Sequence, residues 1–319
     1  MQARGGTYSM DRSITESLQQ LFPDAKIDGC KMRPYRNSRI FILDLLQGDD
    51  RHRIVVKSSN SYNPRQVESE FKNLSRFRLG CKDGDVSSPE PLFADPEKGF
   101  FVMSYINGTN LSYMLHELKP ASRDYLNHAV ELSAVALAKF HSIFRRPDDD
   151  PISVDAAAKE EDINRCIAEN VERISACNLQ IKVTPFFDFS SWNVILDKKG
   201  SKIYLIDFPR TDYVFTPHLD LGRFLFGLEL IKQYPPAKFL GVNRWNVDTL
   251  YDRFLERYCQ EMQFVPNEED QRIINCFLKA NIRRSHDLQR KDKYSWQSRL
   301  EKLYLQTFSK SWLSENKKL

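Results

Sequence analysis

The feature that most constrains this chain is a change of pattern near Gly108. Upstream, short apolar runs alternate with turn residues: 39–46 and 53–57 flank Gly48-Asp49-Asp50, while 92–94 and 100–106 flank Asp95-Pro96. Runs of this length bounded by Gly, Asp and Pro read as β-hairpins. Between the two hairpins, residues 63–78 set Val67, Phe71, Leu74 and Phe77 on one helical face. Downstream the apolar spacing becomes helical, with expected helices at 110–118, 125–144, 158–176, 220–232, 247–263 and 268–287. The expected class is therefore α+β with two lobes: a small antiparallel-sheet lobe with one main helix over residues 1–107, then a larger, mainly helical lobe over 108–319. Residues 1–13 show no periodicity and are expected to be loose. A short helix is expected at 13–21, with Ser13 as N-cap and Glu16 as its capping-box partner.

Two strand-like runs interrupt the helical half, and each carries polar groups at one end. Phe187-Asp188-Phe189-Ser190-Ser191-Trp192-Asn193 precedes Val194-Ile195-Leu196, and Asp207 closes Ile203-Tyr204-Leu205-Ile206. Asp188 is suited to accept a proton from a hydroxyl, while Asn193 and Asp207 offer hard oxygen donors for Mg2+. Transfer of a phosphoryl group from ATP requires such a set. Asp and Asn also cap turns, which is the plainer use of all three.

With 319 residues, 41% of them apolar, the chain can bury a sizeable core. No run approaches the roughly 18–20 apolar residues that cross a bilayer. The N-terminal stretch containing Arg4 and Asp11 has no apolar signal segment, so a cytoplasmic protein is expected. Cysteines at 30, 81, 166, 177, 259 and 276 form no CxxC pair and no zinc spacing, and free thiols are expected. A net charge of +4 is too small to indicate nucleic acid. The basic surplus gathers in residues 281–319, where ten Lys or Arg face four Asp or Glu, and Trp296, Leu300, Leu303, Tyr304, Phe308 and Trp312 recur at helical spacing. This basic amphipathic helix either packs on the protein or docks peripherally on the inner face of an anionic membrane.

Taken in order, several segments resemble the aminoglycoside phosphotransferase and choline kinase group of small-molecule kinases. They are Ile54-Val55-Val56-Lys57, Glu70-Phe71-Lys72-Asn73-Leu74, Phe101-Val102-Met103-Ser104-Tyr105-Ile106-Asn107-Gly108, Leu137-Ala138-Lys139-Phe140-His141, the stretch 187–196, and Leu205-Ile206-Asp207-Phe208. The resemblance spans roughly residues 35–230 and implies a protein-kinase-like fold with ATP and Mg2+ as cofactors. Lys57 would bind the α/β-phosphates and pair with Glu70, preferred to Glu68 because Glu68 points to a different helical face. Adenine would meet backbone groups near Ser104 and Ile106. Asp188 resembles the catalytic base, Asn193 a magnesium ligand five residues later, and Asp207 the aspartate that bridges metal to the β- and γ-phosphates. Asp220, at a helix start, is expected to support loop backbone.

The chain also departs from that family. His-Gly usually precedes the catalytic aspartate, and here Phe186-Phe187 does. Pro209 stands where protein kinases have Gly after Asp-Phe. Residues 31–38, the expected phosphate-covering loop, contain no glycine for a close backbone cradle. Either Arg33, Arg36 or Ser38 contacts phosphate there, or the loop is an ordinary turn. Two functions fit the whole: an ATP-dependent phosphotransferase acting on a small-molecule hydroxyl, with a sugar or glycan favoured, or a catalytically impaired pseudokinase serving as a nucleotide-binding scaffold. An aspartyl-phosphate phosphatase would need a second Asp where Ser190 stands, and no Ala-Pro-Glu follows Asp207 to suggest a protein substrate. An aminoglycoside would want an acidic pocket such as Asp148-Asp149-Asp150. A sugar would want aromatic platforms such as Trp192, Trp245, Trp296 or Tyr213.

Overall fold

The computed structural model describes residues 10–34, 38–59, 63–81, 84–116, 123–153, 161–210, 212–232 and 247–291. The chain divides into two units, residues 1–107 with 204–211, and residues 108–203 with 212–319. The first contains α1 (Arg12–Leu21), β1 (Ala25–Pro34), β2 (Ser38–Gln47), β3 (Asp50–Ser59), α2 (Pro64–Gly80), β4 (Val86–Ser87), β5 (Pro91–Asp95) and β6 (Phe100–Ser104). Five of its strands form an antiparallel sheet in the order β1-β2-β3-β6-β5. The β2–β3 hairpin registers Gln47 against Asp50 around the two-residue turn Gly48-Asp49, where Gly48 takes φ +61°. Strand alternation sends Phe41, Leu43, Leu45, Ile54, Val56, Phe100 and Val102 into one core, which Ile14 and Leu18 of α1 cover. Each such side chain contributes roughly 1.5–3 kcal/mol by leaving water.

Two expectations for this unit need correction. The helix α1 begins at Arg12, and the Ser13–Glu16 box does not form: Asp11 is the N-cap residue, its carboxylate is taken by Arg39 at 2.7 Å, and Glu16 is taken by Arg12 at 2.8 Å. Residues 31–34, expected in a loop, belong to β1, because its ladder with β2 runs on to Pro34 opposite Arg39. Arg36 lies outside the described residues. The helix α2 follows its sequence signals: Asn63 Oδ1 accepts from the Gln66 amide at 3.4 Å, and Pro64 occupies the first turn, where an N–H would have no partner anyway.

The second unit contains β7 (Gly108–Asn110), α3 (Leu111–His116), α4 (Arg123–Ile143), α5 (Glu161–Asn170), 3-10 turns at Glu172–Ala176 and Ser191–Asn193, and β8 (Val194–Asp197). After β9 (Ile203–Leu205), which spans the junction of the units, come α6 (His218–Lys232), α7 (Val247–Met262) and α8 (Glu268–Lys291). The helix α4 packs on α7, while α5 and α6 pack on α8. Where α6 meets α8, a Cβ on Gly222 would lie 2.5 Å from Phe277 Cβ and 2.8 Å from the Ile274 carbonyl oxygen. Only a hydrogen fits there. Gly222→Ala is expected to destabilise the protein by about 1–3 kcal/mol in denaturant unfolding, even though Ala is the better helix former. An unchanged unfolding midpoint would show that the two helices can part freely.

The helices α5 and α8 also carry Cys166 and Cys276, which are joined by a disulfide across 110 residues with Cα atoms 6.1 Å apart. This corrects the expectation of free thiols throughout; Cys30, Cys81, Cys177 and Cys259 are free. Linear spacing could not reveal the pair, because only the packing of two helices brings it together. Among the described residues no helix is long and apolar enough to cross a membrane. Of the expected basic stretch 281–319, residues 281–291 end α8, while 292–319 with Trp296 lie outside the described residues, as does Trp245.

Candidate active site

In the first unit, sheet position buries Lys57 near the end of β3, and Glu70 faces it from α2. Lys57 Nζ contacts both Glu70 Oε1 and Asp207 Oδ1. Glu68 is exposed, so the pairing falls on Glu70. Burial opposes the charge of Lys57, but Asp207 and Glu70 outweigh it and hold its pKa above the ordinary lysine range. Asp207 mirrors this balance: burial pushes its carboxyl up, and Lys57 draws it down further, to below the usual range. Both groups therefore stay charged near neutrality.

Arg210, which sequence reasoning missed, adds a second cation. Its Nε donates to Glu70 Oε2 at 2.9 Å, and its Nη2 lies 3.7 Å from Asp207 Oδ1. The segment carrying Asp207 and Arg210 is anchored by Asn73 Nδ2 donating to the Pro209 carbonyl at 2.9 Å and by Phe208 packing against Phe77, ring centres 5.3 Å apart. Asp207 itself takes φ +63°, a left-handed conformation that Asp tolerates better than most residues. Lys57, Glu70 and Arg210 share one cleft with Ser38, Ser59 and Phe101. At the end of β6, the Ser104 amide donates to the Glu90 carbonyl at 2.9 Å and Ser104 Oγ accepts from the Glu90 amide at 2.8 Å. The Tyr105 amide donates to the Arg53 carbonyl at 3.2 Å, and Ile106 follows beyond the strand.

Asp188 and Asn193 belong to the second unit. Arg223 of α6 donates twice to Asp188 Oδ1, from Nε at 3.0 Å and Nη2 at 2.6 Å. The guanidinium is itself placed by Asn281, whose Oδ1 accepts from Nη1 at 2.8 Å, and by the ring of Phe226, 5.4 Å away. Asn193 Nδ2 donates to the Asp188 carbonyl at 2.9 Å, which leaves the side-chain oxygen as the end suited to a metal ion.

Just before Asp188, Phe187 adopts φ +72°. The resemblance implied glycine at this place, and a positive φ is the conformation that glycine takes without strain. Asp220 secures the turn from the start of α6, as expected from its position: its Oδ2 accepts from the Phe186 amide and its Oδ1 from the Phe187 amide, both at 2.7 Å. Behind it stand His141, with Nε2 3.0 Å from Asp220 Oδ2, and Tyr258, whose hydroxyl is 2.7 Å from His141 Nδ1. All three are buried. A carboxylate only accepts, so Nε2 carries the imidazole proton and Nδ1 accepts from the tyrosine hydroxyl. The Phe187 ring packs on the helical core near Tyr213. Its strain can be separated from its packing by comparing two truncations, since both Phe187→Ala and Phe187→Gly remove the ring but only glycine relaxes the backbone. The glycine variant is expected to be the more stable by about 1 kcal/mol in urea unfolding, the reverse of the usual order. Alanine proving equal or better would remove the strain.

Near the same loop, Trp192 and Tyr113 are 54% and 51% exposed and meet edge to face, ring centres 5.7 Å apart. Of the acids at 148–150, Asp148 and Asp149 are exposed and Asp150 is half-buried. Asp150 accepts from Arg146 Nε at 2.7 Å, Asp148 lies 3.7 Å from Arg145, and Lys182 Nζ donates to the carbonyls of both acids.

A family model described as the phosphotransferase enzyme family matches residues 44–267, a span that includes every site residue named from Lys57 to Asp207. The chain belongs to that family. Among solved structures, this phosphotransferase is similar to an aminoglycoside phosphotransferase from Streptomyces rimosus in complex with ADP and streptomycin, with a TM-score of 0.53 and 16% identity over 84% of this chain and 98% of the other. It is also similar to a macrolide 2'-phosphotransferase from Brachybacterium faecium, with a TM-score of 0.54 and 12% identity over 92% and 97% of the two chains. A microcompartment-associated aminopropanol kinase gives a TM-score of 0.52 and 14% identity over 91% and 94%. At such identities the likeness is one of fold, and the fold is the kinase-like one that the order of segments implied. No curated protein matches the chain in sequence.

Proposed function

We propose that this phosphotransferase moves the γ-phosphoryl group of ATP to a hydroxyl of a small sugar or glycan. The observation that carries the reaction type is the contact of Lys57 with both Glu70 and Asp207, a cation held charged where phosphates are to be neutralised. Residues 1–107 form the nucleotide-binding part in this reading. The Ser104 carbonyl and the Ile106 amide, two residues apart, meet the adenine edge, since the Ser104 and Tyr105 amides are already spent within the chain. The oxygens of Asn193 and Asp207 suit Mg2+, which would shield the phosphate charge when bound. Asp188 orients the acceptor hydroxyl and takes its proton, with Arg223 fixing one carboxylate oxygen so that the other faces the substrate.

The aromatic pair Trp192 and Tyr113 supports a ring-bearing acceptor, because it offers an exposed apolar surface one residue from Asn193. A reaction that draws on ATP suits the cytoplasm. An ATP-consumption screen against sugars, glycan fragments, aminoglycosides and choline-like amines tests the proposal, with the phosphorylated product identified by mass spectrometry. Turnover with an amine alone would move the acceptor class, and binding of Mg·ATP without any product would favour the scaffold reading. Flotation with anionic liposomes tests peripheral membrane contact through residues 292–319, and a negative result removes lipid-linked acceptors.

A further inference from the structure

In the helical unit, away from the residues assigned to phosphoryl transfer, Cys177, His218 and Asp270 converge. Their ligating atoms lie within 4.8 Å of one another, and all three residues are buried. Cys177 follows the 3-10 turn Glu172–Ala176, His218 opens α6, and Asp270 stands in the first turn of α8. Linear spacing gives no zinc motif, because the three donors come from three separate elements.

We propose that Cys177 Sγ, His218 Nε2 and a carboxylate oxygen of Asp270 form a structural site for a divalent transition-metal ion of the Zn2+ class. One sulfur, one imidazole nitrogen and one oxygen make a donor set that suits Zn2+ and not Mg2+ or Ca2+, which take oxygens. The surrounding groups orient the donors. His218 Nδ1 lies 2.8 Å from Thr216 Oγ1, a hydroxyl able to accept a hydrogen bond from Nδ1–H and leave Nε2 for the ion. Asp270 is fixed by the amides of Asn178 at 3.1 Å, Leu179 at 3.1 Å and Asn267 at 2.8 Å. Its bonds to His218 Nε2, at 2.9 Å, and to the Cys177 thiol are those that the ion replaces.

Two of the three donors stand in their ligating form, and the thiol must lose its proton as the ion binds. Burial would raise the Asp270 carboxyl, but His218 and the three amides hold it down at about 2, so the carboxylate is ready. Burial lowers His218 below its ordinary range, which favours the neutral ring. Burial and Asp270 push the Cys177 thiol up to about 12. Binding one ion therefore moves the imidazole proton from Nε2 to Nδ1 and releases the thiol proton to solvent. The ion would tie the end of the 3-10 turn to the starts of α6 and α8, two residues from the Asp220 that secures Phe186 and Phe187.

The test uses the full-length protein, stripped with chelator, loaded with one equivalent of Zn2+ or Co2+ and desalted. Elemental analysis is expected to find about one ion per chain, and the Co2+ form is expected to show thiolate charge-transfer absorption. Cys177→Ser should abolish that absorption, and His218→Gln should weaken retention by about 10-fold or more, with circular dichroism checking that each variant is folded. The proposal is overturned if the unmodified protein retains no ion. It is equally overturned if folded Cys177→Ser and His218→Gln proteins retain the ion as well as the parent, which would put the metal elsewhere.

Discussion

Asp207→Ala is expected to abolish turnover, lowering kcat by about 1,000-fold or more, the scale set by removing a single electrostatic stabiliser of a developing charge. Two effects combine. The oxygen proposed to bind metal disappears, and Lys57 loses one of the two carboxylates that keep it charged inside the fold. Because Asp207 sits at φ +63°, alanine also adds backbone strain. Asp207→Asn is the matching control, since Asn accepts the left-handed region while giving up the charge. Both variants should lose phosphotransfer while their thermal unfolding remains cooperative. Near-normal turnover in a folded Asp207→Ala protein would remove Asp207 from the site.

Asp188→Asn is expected to cut kcat by about 100- to 10,000-fold, the range associated with a positioned general base, and to leave ATP binding nearly unchanged. Substitution by Asn is mild for the structure. Its side-chain oxygen can still accept from Arg223, and the backbone carbonyl that receives Asn193 Nδ2 is untouched. What vanishes is the ability to take a proton. Steady-state kinetics with nucleotide binding measured in parallel separates the two contributions. A fall in nucleotide affinity as large as the fall in kcat would show that Asp188 does not act on the acceptor.

How far the sequence revealed this site depended on how far apart the cooperating residues lie. Lys57 and Glu70 are close in the chain and come from a strand and a helix whose periodicities are plain, so their pairing was legible. The strand β1 was not, because residues 25–34 mix Lys, Asp, Gly and Arg without clear apolar alternation and the strand lies at a sheet edge. Arg210 was hidden for another reason: nothing about an arginine after Phe208-Pro209 says that it will reach Glu70, 140 residues earlier. The same holds for Tyr258 and His141, joined across 117 residues, and for Arg223, which meets Asp188 from 35 residues away. Phe187 is instructive in the opposite sense. The sequence showed a missing glycine, and the structure shows the positive φ that makes its absence costly.

The contact between Lys57 and Asp207 also bears on nucleotide affinity. These two groups satisfy each other, so under the proposed roles each acts as an internal ligand that competes with the incoming phosphate and metal. Measured nucleotide affinity is then the intrinsic affinity reduced by the population in which the pair is parted. Substitutions near the pair that weaken their mutual hold, while sparing both groups, can therefore tighten nucleotide binding without adding a contact to the nucleotide. Saturation could be tuned by altering what the site does when it is alone.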